Sequence, residues 1–145
     1  MLELDQWPVD VVQDVDKLME YVGPFAHEMV QRDGAVIPCG AGLSGQGQLE
    51  PFVVDVAGFS SMTAAYEFLF ASVVDNRDSW RAVCLAVAVV DEDQENALRF
   101  IVEHVSGYCA VGVMVFHLTR FVRVAVFEDL VWMPIPPMVW AQGKA

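Results

Sequence analysis

Apolar positions in the first part of the chain recur at alternating steps of four and three. Val11, Val15, Leu18, Val22, Phe25 and Met29 share one stripe, which predicts an amphipathic helix over residues 11–30. Gly23-Pro24 interrupts it. Proline has no N–H and crowds the preceding turn, so a kink or two short helices is expected there, with Asp33-Gly34 as the stop.

The pattern then shifts to apolar runs of strand length. Residues 35–42 and 49–56 flank the polar, glycine-rich Leu43-Ser44-Gly45-Gln46-Gly47-Gln48 and predict a hairpin. Ser60-Ser61 offers an N-cap for a second helix with Met62, Ala65, Tyr66, Leu69 and Val73 on one face, ending near Asn76. Residues 80–90 read as a central strand buried on both faces, and residues 97–105, 108–119 and 121–127 complete a meander. If Ser106-Gly107 is a two-residue turn, Val105 faces Tyr108, His104 faces Cys109, Val102 faces Val111 and Phe100 faces Val113. Leu98, Phe100, Val102, Val111, Val113 and Val115 then form one face, the seat for the helices. Arg99, Ile101, Glu103, Tyr108, Ala110, Gly112, Met114 and Phe116 form the other, too apolar for water yet holding two charges. The expected fold is one α+β domain over residues 1–145, with an antiparallel sheet of about six strands and two helices on one face. The element order is α-β-β-α-β-β-β-β, and residues 132–145 form a proline-rich arm.

Charge and cysteine content narrow the setting. Twenty acidic against eight basic side chains give a net charge of −12, which repels phosphate backbones and argues against nucleic acid. Three cysteines make no disulfide framework, so reduced thiols and a cytoplasmic location are expected. The start of the chain lacks a basic n-region and apolar core, so no signal peptide is expected. Mean hydropathy is +0.41, but the longest apolar burst, Ala82–Val90, falls far short of the roughly 20 residues that span a bilayer. No membrane association is expected.

Candidate chemistry is sparse. The glycines from Gly40 to Gly47 lack the Lys-Ser or Lys-Thr of a phosphate cradle and are read as a turn. The two-residue turn sets Cys109 opposite His104, a pair that a small cysteine-nucleophile enzyme would use, but Glu103 points to the other face and cannot orient the imidazole. Cys39, Cys84, Cys109, His27, His104 and His117 show no short ligand spacing, so no metal is expected, and no cofactor or catalytic residue is assigned. Asp91, Glu92 and Asp93, with Glu95, form the densest acidic cluster, a solvated turn or an edge for a basic partner together with acids of the first helix. Ile101, Tyr108, Met114, Phe116, Trp132 and Trp140 present more apolar surface than a monomer of this size leaves in water. They predict a homodimer or a protein partner, or else an arm folded back over its own sheet.

The segment Gly34-Ala35-Val36-Ile37-Pro38-Cys39-Gly40-Ala41-Gly42-Leu43, with Gly45, Gly47 and the later Arg81-Ala82-Val83-Cys84-Leu85-Ala86-Val87, resembles a recurrent small bacterial family of unknown function. Some acidic bacterial proteins of comparable layout are immunity proteins that neutralise a cognate toxin, so the resemblance implies a non-catalytic protein-binding module. The alternative is a homodimeric structural or chaperone-like protein. A likeness to type III secretion chaperones in size and acidity ends at element order, since those place three strands between their first two helices and close on a helix.

Overall fold

The computed structural model describes residues 6–90, 95–118 and 125–140. Helix α1 (Val9–Asp33) runs unbroken through Pro24 and buries Val11, Val15, Leu18, Val22, Ala26, Met29 and Val30. No break forms because Pro24 and Glu20, whose carbonyl loses its helical donor, both lie on the exposed side, where solvent replaces the bond. Phe25, expected in the core, is 42% exposed and stacks on Tyr21. The helical period places Ala26 one turn after Val22 and turns Phe25 outward.

Strands β1 (Cys39–Leu43) and β2 (Leu49–Val53) form the first hairpin, and Ser61 caps helix α2 (Met62–Asp75) by accepting the Ala64 N–H at 3.1 Å. Strands β3 (Ala82–Val90), β4 (Asn96–His104), β5 (Cys109–Leu118), β6 (Ala125–Phe127) and β7 (Val131–Pro134) follow. The sheet is antiparallel, in the order β2-β1-β3-β4-β5-β6, with β7 also pairing β5. The α+β class and the element order agree with expectation. The seventh strand comes from the start of the arm. Outermost β2 has Pro51 at its centre, opposite Ala41.

The helices do not share a face. Helix α1 packs on Ala41, Cys84, Ala86, Leu98, Phe100, Val102, Ala110 and Phe116. On the opposite face, Ala65, Leu69 and Val73 of α2 pack on Val83 and Leu85, joined by Val139 and Trp140 of the arm. The cause lies in β3, whose side chains are apolar on both faces, so each face needs its own cover. Close approach of β1 to β3 is possible because Gly40 has no side chain; a Cβ there would lie 2.1 Å from the Cys84 carbonyl oxygen.

The register of β4 and β5 also differs from expectation by one residue. The turn is a three-residue loop: Gly107 N–H donates to the His104 carbonyl, His104 N–H to that of Tyr108, and Gly107 takes φ of +104°. Glu103 therefore pairs Cys109, Val102 pairs Ala110 and Ile101 pairs Val111. Every β5 side chain changes face, so Ala110, Gly112, Met114 and Phe116 join Leu98, Phe100 and Val102 under α1. Val111 and Val113 join Arg99, Ile101 and Glu103.

Phe100 is sealed in this core at 1% exposure. Phe100→Ala is expected to lower unfolding free energy by about 3–5 kcal/mol, while Phe25→Ala changes it by less than about 1 kcal/mol. Urea denaturation of both variants checks the contrast, and equal losses would contradict this helix orientation.

Candidate functional site

On the α2 face, β4 carries a carboxylate with no exposure to solvent. Glu103 Oε1 accepts N–H bonds from Met138 at 2.8 Å and Val139 at 2.9 Å, and Oε2 from Val139 at 3.0 Å and Trp140 at 3.0 Å. The Cys109 thiol also donates to Oε1 at 3.5 Å. Burial, with the negative charge of Glu103 adding to it, pushes that thiol up to about 12, so it stays protonated. The arm is fixed further by Ile135 N–H on the Cys109 carbonyl and by the Trp140 indole N–H on the Arg77 carbonyl.

Between the arm and α2 lies an apolar pocket of about 460 Å³. Its walls are Tyr66, Glu67 and Phe70 of α2, Arg99 and Ile101 of β4, Val111 of β5, and Ile135 and Met138 of the arm. The size falls in the range of small-molecule sites. Arg99 is the unusual member. Among the described residues Lys17 donates to the Gly47 carbonyl, Arg32 pairs Asp33, Arg77 donates to the Val74 carbonyl and Arg81 pairs Asp14. Arg99 makes no ion pair with a described residue, and its buried Nε and the buried Tyr66 hydroxyl lack hydrogen-bond partners among them. The guanidinium carbon lies 5.5 Å from the Tyr66 ring centroid. Burial raises the Tyr66 phenol, and the nearby Arg99 guanidinium offsets part of the rise. Glu67, at the rim, is exposed.

A polar constellation ties α1 to the β4–β5 turn on the other side of the sheet. Arg81 donates to Asp14 through Nη2 at 2.8 Å and Nε at 3.1 Å, and His104 Nε2 lies 2.9 Å from Asp14 Oδ2. His104 Nδ1 lies 2.7 Å from Ser106 Oγ and accepts the Ser106 N–H at 3.2 Å, which assigns the ring proton to Nε2. The order Asp, His, Ser matches a hydrolytic relay, but the Nδ1 lone pair that would take the hydroxyl proton already serves Ser106's own amide. The arrangement is a tether. Burial pushes the Asp14 carboxyl up, but hydrogen bonds from Arg81 and His104, with the charge of the Arg81 guanidinium, leave it below its ordinary value.

A third group gathers Glu95, just before β4, His117 on β5 and Glu128, just after β6. His117 Nε2 is 2.8 Å from a Glu128 oxygen and 3.3 Å from a Glu95 oxygen.

The residues expected to form a partner surface are dispersed. Ile101 is buried as a pocket wall, and Trp140, in the arm itself, is buried against the Val83 and Leu85 face of the sheet. Phe116 is buried and Met114 and Trp132 are half-buried on the α1 face, while Tyr108 rests against Trp7 with ring centroids 5.3 Å apart. Asp91, Glu92 and Asp93 lie outside the described residues. The arm folds back over its own sheet, so the face read as needing a cover receives one from this chain. The register separates His104 from Cys109, on opposite faces, so the suggested nucleophile pair is not assembled. Arg99 and Glu103 were visible as two charges in an apolar strand; their contacts were not, because the donors to Glu103 are backbone groups of a distant segment.

Comparison of the chain with protein-family models, curated proteins and solved structures finds no match in any of the three. No helix among the described residues is long and apolar enough to cross a membrane.

Two measurements probe these contacts. Glu103→Gln turns an amide NH₂ toward N–H donors in place of a carboxylate oxygen. With charged hydrogen bonds worth about 1.5–3 kcal/mol, exchange of the Met138, Val139 and Trp140 amides should accelerate on the order of 100-fold. Unchanged protection would remove Glu103 as the anchor. Because the folded-state Asp14 value lies below the unfolded one, its contribution is fully present above the ordinary value of 3.8 and is lost as pH falls through the folded value. Asp14→Asn should therefore flatten the stability profile below about pH 4, measured by thermal unfolding across acid pH.

Proposed function

We propose that this chain is a non-catalytic binding protein that takes a small amphipathic anion into the pocket between α2 and the arm. The carrying observation is Arg99, a half-buried cation with a buried Nε and no ion-pair partner among the described residues, at the wall of a largely apolar cavity whose rim carries Glu67. A charge drawn partly out of water gains from a partner there, and an incoming carboxylate supplies one through the guanidinium fork. The alkyl part of such a ligand finds Phe70, Ile101, Val111, Ile135 and Met138. Desolvation then favours binding in proportion to the apolar area covered.

Calorimetry with decanoate and with decanol, matched in chain and different in charge, tests this. Saturable decanoate binding at one equivalent is expected, at least about tenfold tighter than decanol, since a charge-assisted bond contributes about 1.5–3 kcal/mol. Arg99→Leu should erase the difference, and Val111→Trp should weaken both. Equal binding of the two probes, or no saturable decanoate binding, would refute the reading.

Exposed Val131 and Met133 on β7, with Met62 and Phe68 on α2, favour a second reading in which a protein docks there. A cognate toxin, as for immunity proteins, and a second copy of the chain both belong to it. Sedimentation separates the self-associating form from a 16.1 kDa monomer.

A further inference from the structure

We infer that Glu95, His117 and Glu128 form a site for one divalent transition ion of the zinc class, independent of the pocket. One candidate ligand atom from each side chain lies within 4.8 Å of the other two. The residues come from three separate places in the chain, and the sheet brings them together. His117 sits opposite Val126 in the β5–β6 ladder, and Glu128 N–H donates to the Val115 carbonyl at 2.8 Å, which fixes Glu128 beside β5. The imidazole is the pivot. Its single Nε2 faces carboxylate oxygens at 2.8 and 3.3 Å, so at most one ring hydrogen is divided between two acceptors and two negative charges are held around it.

An ion with bonds of about 2.0–2.2 Å in tetrahedral geometry needs ligand atoms about 3.4 Å apart, which these partly exposed side chains reach by small rotations. One nitrogen and two carboxylates suit zinc, cobalt or manganese, whereas calcium and magnesium prefer all-oxygen shells. Three protein ligands leave a fourth position for water. The buried thiols do not compete, because burial raises Cys39 and Cys109 to about 12 and Cys84 likewise upward, keeping them protonated. The reading of the cysteines and histidines by spacing missed this set because its other two members are carboxylates in separate turns.

Titration of the full chain with Zn²⁺ by calorimetry, and with Co²⁺ by visible absorption, tests the site. The expected result is one equivalent, a tetrahedral cobalt band, retention against a large excess of Mg²⁺, and loss of at least tenfold in affinity in both His117→Ala and Glu128→Gln. All three side chains are at least 38% exposed, so both variants should fold, and circular dichroism confirms it. If one variant does not fold, the other carries the test. Absence of Zn²⁺ binding at millimolar concentration, binding unaltered in a folded variant, or displacement by Mg²⁺ would each overturn the inference.

Discussion

A carboxylate taken wholly out of water persists only where donors replace its hydration, and in this chain those donors are three consecutive backbone amides at the far end of the polypeptide. Glu103 accepts from Met138, Val139 and Trp140, and much of the α2 face depends on that capture. The arm contains Pro134, Pro136 and Pro137, which offer no N–H of their own, so it cannot be held by a regular ladder beyond β7. The carboxylate takes over where the ladder ends. Val139 and Trp140 are then driven against Val83 and Leu85, and Ile135 and Met138 become pocket walls.

The elements of this fold were legible because each follows from local chemistry. The four-and-three spacing before Gly34, the Ser61 cap and the apolar bursts after Trp80 each define an element from nearby residues alone. The arrangement was less legible, and two local choices account for the difference. Val105 joins Ser106 and Gly107 in the turn, which moves β5 by one residue and exchanges its faces. Recognising β3 as apolar on both sides already implied a layer on each, yet nothing local says which helix takes which face.

The pocket was half legible. Arg99 and Glu103, two residues of the same parity in a strand otherwise apolar, mark a face that water does not solvate in the ordinary way. What they meet depends on Tyr66 from α2 and on backbone groups from the arm, and no periodicity encodes such encounters. The same holds for Asp14, which pattern alone placed on an acidic outer edge. In the structure it is enclosed by Arg81 and His104, and it links the first helix to the β4–β5 turn instead of facing a partner.

Pro51 at the centre of β2 has a consequence for a chain this apolar. An outermost strand with free N–H groups is a template on which further strands can assemble, and long apolar sheets tend toward fibres by that route. Proline removes a donor from the middle of that five-residue margin. At the opposite margin the described residues present the short β6 and β7, and the second runs into prolines. Growth of the sheet by stacking copies edge to edge is thus discouraged at both described margins, by a missing donor on one and by short strands on the other.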